Sequence, residues 1–276
     1  MLRIDWDDLP AGVRSTIESR TGPVLKVETA SEGLNSALAT FLDTPGGMIF
    51  VKGLRSDHPG VVTQQREAAI NPYVRPVSPR LLWQVQIDGW NVLGFEYIHG
   101  RHADYAPGSD DLPKVIHAKR LLSTIPCPDL PLLKRAEQRW AEHVDDASAL
   151  RLLAGDALLH TDFNPLNILI SNDTARLIDW AWPTRGAAWI DPACLVLRLI
   201  AAGHTPNAAE AWAQQVPAWS TASDRAISTF AQASSRLWQQ ITTADPQPWK
   251  QHMAAAARHW AAFRLEASPD RALTSG

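Results

Sequence analysis

The sequence predicts an α+β protein in two parts, and three observations lead there. Five segments between residues 24 and 98 are short, rich in β-branched and aromatic residues, and bounded by turn signals. From Asp111 onward the apolar positions recur at helical spacing. One hairpin-like stretch, residues 158 to 179, interrupts that helical part. The expected organisation is a five-stranded antiparallel sheet with one helix in residues 1–98, then a mostly helical part carrying the hairpin in residues 99–276.

Composition narrows the function class. A chain of 276 residues can bury a sizeable core in one large or two small lobes. Its 45% hydrophobic and 20% charged residues are ordinary for a globular protein. A net charge of −3 gives no sign of a nucleic-acid or membrane partner. The 2 cysteines, Cys127 and Cys194, form neither a metal spacing nor a disulfide framework. The first residues are acidic and lack a long apolar run, so neither a signal peptide nor a membrane span is expected. A cytoplasmic location follows.

The elements follow in order. Residues 5 to 20 read as a short amphipathic helix ahead of Gly22-Pro23. Val24–Thr29, Ser36–Leu42 and Met48–Leu54 read as three strands, the last two joined by a turn at Asp43–Gly47. Val61 to Ile70 reads as a helix ended by Asn71-Pro72. Leu81–Ile87 and Asn91–Ile98 complete the sheet through a turn at Asp88-Gly89-Trp90. Residues 112 to 124 carry a helical stripe. So do residues 130 to 153, where Leu132, Leu133, Ala136, Trp140 and Val144 are the expected core positions. Helices are expected again over 193–202, 207–215, 222–242 and 246–266. Trp238, Trp249 and Trp260 in the last two read as packing rings or as the wall of a pocket.

Chemistry concentrates in the hairpin. An apolar run ends in His160, and a polar turn carries Asp162 and Asn167. Two short strands around Ser171-Asn172-Asp173 then lead to Asp179. Such a hairpin brings Asn167 and Asp179 to one end, with Asp162 on the loop before them. An Asn amide oxygen and an Asp carboxylate are hard ligands suited to magnesium. Asp162 is then left to accept a proton from an attacking hydroxyl, which is the division of labour in phosphoryl transfer. The spacing His-x-Asp-x-x-x-x-Asn is that of a kinase catalytic loop, although Trp180 follows Asp179 where Phe-Gly is usual. Taken singly, His160 reads as a structural histidine and Asp162 as a turn former.

His160-Thr161-Asp162 through Asn167, with Ile178-Asp179-Trp180, resembles the aminoglycoside phosphotransferase family and its choline-kinase-like relatives. The resemblance implies a two-lobed protein-kinase-like fold, with Asp162 as base and Asn167 and Asp179 as Mg2+ ligands. It departs at Thr161, where Gly is common, and at Asn164, where His is common. Lys52 ends an apolar strand as the lysine of Val-Ala-Ile-Lys does, and Glu67 is the acid that would aim it at the donor phosphates. The plainer reading is a snorkelling lysine and a solvated acid. By resemblance, the loop around Gly33, Asn35 and Ser36 would meet the phosphates of a nucleotide. Locally that loop reads equally well as a hairpin turn. The backbone of Glu96, Tyr97 and Ile98 would meet a purine edge at an inter-lobe hinge, or Tyr97 is a packed aromatic. Asp191 would hold the catalytic loop, or it caps the helix that begins at Pro192.

The resulting expectation is transfer of the γ-phosphate of ATP to a small-molecule hydroxyl with Mg2+, GTP not being separable from ATP. Asp104, Asp110, Asp111, Asp145 and Asp146 are acids available near an acceptor. The last two helices are poor in acids, which favours a less cationic acceptor than an aminoglycoside. A peptide or protein hydroxyl, or a nucleotide-binding pseudokinase, is the alternative. A metal-dependent hydrolase built on His160 and Asp162 lacks a third clustered ligand.

Overall fold

The computed structural model describes residues 3–30 and 36–266. A five-stranded antiparallel sheet comes first: β1 (Lys26–Thr29), β2 (Leu38–Thr44), β3 (Gly47–Arg55), β4 (Leu81–Ile87) and β5 (Trp90–Glu96), in the order β1-β2-β3-β5-β4. The predicted single helix over 5–20 is two pieces, a 3-10 turn at Trp6–Asp8 and α1 (Ala11–Thr21). Pro10 separates them, because it lacks an N–H and holds the chain extended at ψ 140. Trp6, Leu9, Val13 and Ile17 cover one face of the sheet against Leu38, Leu42, Ile49, Val51 and Val92.

On the sheet also packs α2 (Val61–Val74), which runs past the expected stop at Asn71-Pro72. Pro72 removes one N–H from the last turn, but Ile70 and Val74 are fully buried and hold that turn in place. Asn71 ties the end of α2 to β4, donating to the Pro79 carbonyl at 2.8 Å and accepting from the Leu81 N–H at 2.7 Å. A buried amide chain fixes the helix to the sheet: Asn91 donates to Gln64 at 2.8 Å and accepts from Gln84 at 2.6 Å. The orientation of α2, and so of Glu67, is set by these links.

The chain leaves the sheet through residues 97–100. A Cβ at Gly100 would collide with the carbonyl of Ile170, so this linker approaches the hairpin only because residue 100 has no side chain. Then come β6 (Arg101–His102), α3 (Leu112–Leu122), β7 (Lys134–Arg135) and α4 (Ala136–Arg139). The expected helix over 130–153 is reduced to α4 and two 3-10 turns, 141–143 and 149–153. Lys134 and Arg135 pair in parallel with a later strand instead. Ala136 and Trp140 are core as expected, whereas Leu132 is exposed.

Next follow β8 (Ala157–Leu159), β9 (Ile168–Ser171), β10 (Thr174–Leu177) and β11 (Thr184–Gly186). Two small sheets result, β10-β9-β6 and β7-β11-β8. The helices α5 (Ile190–Ala201), α6 (Pro206–Ala213), α7 (Asp224–Ala244) and α8 (Pro248–Glu266) complete the larger core. Phe230 sits at its centre, with ring centroids 5.1 Å from Trp140, 5.7 Å from Trp189 and 6.4 Å from Trp260. Among the described residues no helix is long and apolar enough to cross a membrane.

Candidate active site

Strand β8 leads through His160 to Thr161 and Asp162, which line a cleft between the sheet and the helical part. The His160 side chain is buried and fully used in structure. Its Nδ1 accepts from the Asp162 N–H at 3.3 Å, which leaves Nε2 to donate to the Ile178 carbonyl at 3.0 Å. Its ring meets Trp180 edge-on at 4.6 Å. Of the two readings of His160, the structural one describes these contacts.

The loop beyond is held from below by Asp191, which is fully buried. One carboxylate oxygen accepts from the His160 N–H at 3.0 Å and the other from the Thr161 N–H at 2.9 Å. The buried Lys119 ammonium lies 3.7 Å from the same carboxylate. Asp191 is therefore inside α5 and aimed at the loop; its alternative as the helix cap is not what forms, since Trp189 precedes the helix. Thr161 takes φ 66, the left-handed region where a β-branched residue is strained. This explains why glycine suits the position. Here the threonine Oγ1 accepts from Arg139 and donates to the Trp182 carbonyl, bonds a glycine lacks.

Asp162 and Asn167 face each other across the turn. The Asn167 Nδ2 donates to Asp162 Oδ2 at 3.0 Å and to the Asp162 carbonyl at 3.3 Å. With its amide nitrogen so committed, the Asn167 Oδ1 is the free end. The Ile178 N–H donates to the Asn167 carbonyl at 2.9 Å, which brings Asn167 and Asp179 to the same end of the β9–β10 hairpin. Asp179 itself has φ 60.

Across the cleft, Lys52 lies inside the buried run of β3, with Nζ 2.5 Å from Glu67 and 3.2 Å from Asp179. Burial alone would push the ammonium down, but the carboxylates of Asp179 and Glu67 together outweigh it and hold it above its ordinary value. Burial pushes the Glu67 carboxyl up while Lys52 pulls it back. With the ammonium held charged at this distance, the pair is ionic. The snorkelling alternative for Lys52 does not describe a side chain that is only 10% exposed.

Ser36, Glu96, Tyr97 and Ile98 line the same cleft, which has a volume of about 1530 Å³. Tyr97 also packs edge-on against Phe41 at 5.5 Å. Gly33 and Asn35 lie outside the described residues.

Several residues that the sequence did not single out complete the site. Arg198 donates to Asp162 Oδ1 at 2.8 Å. It lies seven residues beyond Asp191, two turns along the same face of an otherwise apolar helix, and a lone arginine there needs a partner. Arg139, Lys134 and Trp182 also line the cleft beside Thr161. The acids expected near an acceptor are elsewhere. Arg101 holds the buried Asp111 at 2.5 Å, Arg225 pairs with Asp146 at 3.1 Å, and Asp145 pairs with Arg236. None of these three acids, nor Asp104 or Asp110, lines the cleft.

The donor set suits magnesium better than a caged metal. Among the described residues no group of three or more His, Cys, Asp or Glu is placed to hold a metal. One carboxylate and one free amide oxygen are what this ion takes when nucleotide phosphates supply the rest.

No protein-family model and no curated protein matches the chain. Solved structures do match. Choline kinase LicA from Streptococcus pneumoniae superposes with a TM-score of 0.62 at 16% identity, covering 91% of this chain and 98% of that one. Aminoglycoside phosphotransferase APH(4)-Ia gives 0.64 at 15% identity, covering 93% and 98%. An aminoglycoside phosphotransferase from Alicyclobacillus acidocaldarius gives 0.61 at 12% identity, covering 96% and 98%. The chain has the kinase-like α+β fold of these proteins.

Proposed function

We propose that this protein is a phosphotransferase that moves the γ-phosphate of ATP to a hydroxyl of a small molecule. Residues 1–98 are the nucleotide lobe of this reading and residues 99–276 its catalytic and acceptor lobe. The observation that carries it is the convergence of Lys52, Glu67 and Asp179 across the cleft, with Asp162 and Asn167 beside them.

Each side chain then has a task. Lys52 binds α- and β-phosphate oxygens, and Glu67 keeps it aimed. Asn167 Oδ1 and the Asp179 carboxylate would hold Mg2+, which when bound offsets the negative charge of the phosphates. Backbone groups of Glu96, Tyr97 and Ile98 meet the purine, and the Ser36 end of the β1–β2 connection, with Gly33 and Asn35, meets the phosphates. Asp162 accepts the hydroxyl proton as the acceptor oxygen bonds to the γ-phosphorus. The bond from that phosphorus to the β–γ bridging oxygen breaks, and ADP leaves. Arg198 and Asn167 keep the Asp162 carboxylate turned toward the acceptor. Catalysis of this kind is mainly positioning and charge neutralisation.

The structural neighbours support the reading. LicA is known in complex with AMP, and variants of APH(4)-Ia with hygromycin B and either ADP or AMP-PNP. Unpaired Cys127 and Cys194 are in keeping with a cytoplasmic enzyme.

Asp162→Asn tests the assignment of the base. The variant should fold, bind AMP-PNP as the wild type does, and form phosphorylated product roughly 10²–10⁴-fold more slowly. Product formation at the wild-type rate removes Asp162 from its role.

A further inference from the structure

Three cations gather around one exposed indole at the edge of the cleft. The Arg66 and Arg139 Cζ atoms and the Lys134 Nζ each lie 5.4 Å from the centroid of the Trp182 ring. They come from α2, α4 and β7, three separate elements. None of the three has a carboxylate within ion-pair distance among the described residues. Arg139 bonds only to uncharged oxygens, those of Thr161, Thr184 and the Trp182 carbonyl. The Arg66 Nε is buried with no hydrogen-bond partner.

Four cations elsewhere in the cleft and the core are paired. Lys52, Arg101, Arg198 and Arg264 each lie within 3.2 Å of a carboxylate. Crowding like charges without a counterion is unfavourable. It shows on the groups themselves. Burial, then the charges of Arg66 and Arg139, holds the Lys134 ammonium below its ordinary value. Burial pulls the Arg139 guanidinium down to about 10. An anion placed beside them would relieve the repulsion.

The location says which anion. Lys134, Arg139 and Trp182 line the cleft that holds Asp162, and Arg139 bonds to Thr161, the residue before it. Lys52 already serves the nucleotide phosphates in the reading above. The acids that line the cleft are Glu67, Glu96, Glu142, Asp162 and Asp179, and none of them forms an ion pair with these three cations. We infer that the acceptor carries an anionic group, a phosphate ester or carboxylate, beside the hydroxyl that is phosphorylated, and that Lys134 and Arg139 bind that group against Trp182, with Arg66 adding its charge nearby. The inference rests on the phosphotransfer reading for the word acceptor, though not for the anion site itself.

Two measurements test it separately. In the first, inorganic phosphate is titrated calorimetrically into protein saturated with AMP-PNP and Mg2+. One phosphate should bind beside the nucleotide. Lys134→Ala, a change at an exposed side chain, should weaken it tenfold or more while AMP-PNP affinity stays within twofold. No binding, competition with AMP-PNP, or equal affinity in the variant would overturn the site. In the second, ADP release is followed with glycerol, glycerol phosphate, glycerate, choline and an aminoglycoside. Turnover should favour the two anionic compounds, their order separating phosphate from carboxylate, and Lys134→Ala should raise their KM tenfold or more. Preferred turnover of a neutral or cationic compound, untouched by Lys134→Ala, would overturn the inference alone. No ADP release with any compound while phosphate still binds would overturn the transfer reading, and the acceptor with it.

Discussion

Lys52, on the sheet side of the cleft, has two carboxylates within 3.2 Å, whereas Lys134 and Arg139, on the helical side, have none within ion-pair distance among the described residues. Both sides carry cations, yet they use them differently. The Lys52 ammonium is outnumbered by the Glu67 and Asp179 carboxylates, so it is oriented before any ligand arrives. The cluster around Trp182 is held in place by neutral contacts and by the indole, and no carboxylate among the described residues pairs with it directly. A matched cation is oriented; an unmatched one is receptive. In the proposed reading, the donor belongs to one side and an anionic acceptor to the other.

Breaking the matched side should have the larger effect. Lys52→Met keeps the stem but removes the charge, and kcat/KM for ATP should fall roughly 10²–10³-fold, as for loss of one donor to a developing anion. Unaltered kcat/KM in steady-state assays would return Lys52 to a structural role. Asp191→Ala attacks the support under the catalytic loop. It strands the buried Lys119 ammonium and frees two loop N–H groups, so denaturant unfolding should show a loss of about 3–5 kcal/mol. A loss under about 1 kcal/mol would mean that the loop is held by other contacts.

The smallest expected effect is a pH response that should be missing. The Lys52 value is raised above the ordinary 10.5 in the folded chain. Its pairing therefore stabilises fully below the unfolded value and is lost only as pH climbs through the higher folded one. The Tm difference between wild type and Lys52→Met should stay flat from about pH 7 to about pH 9. A difference that shrinks across that window would place the folded lysine value within it.

Much of this was legible in the chain, for identifiable reasons. The five strands are readable because β-rich runs alternate with turn signals, and the hairpin because Asn167 and Asp179 flank two such runs. Lys52 and Glu67 are readable as a strand-end lysine and a helix acid, and the fold brings them together. The stop at Pro72 was misjudged because burial of Val74 and the side-chain bonds of Asn71 are tertiary. The run from 130 to 153 shows helical spacing because turns of short helix, when buried, sample the same core. The cations around Trp182 could not be read together, since Arg66 lies far in sequence from Lys134 and Arg139, and Trp182 lies far from all three.

The most direct test of the central claim is calorimetric titration of AMP-PNP with and without Mg2+, in the wild type and in Asp179→Ala. If Asn167, Asp179 and Lys52 converge on one triphosphate, Mg2+ should raise the wild-type affinity tenfold or more and leave the variant unchanged. An equal rise in both proteins, or none in the wild type, would contradict the account.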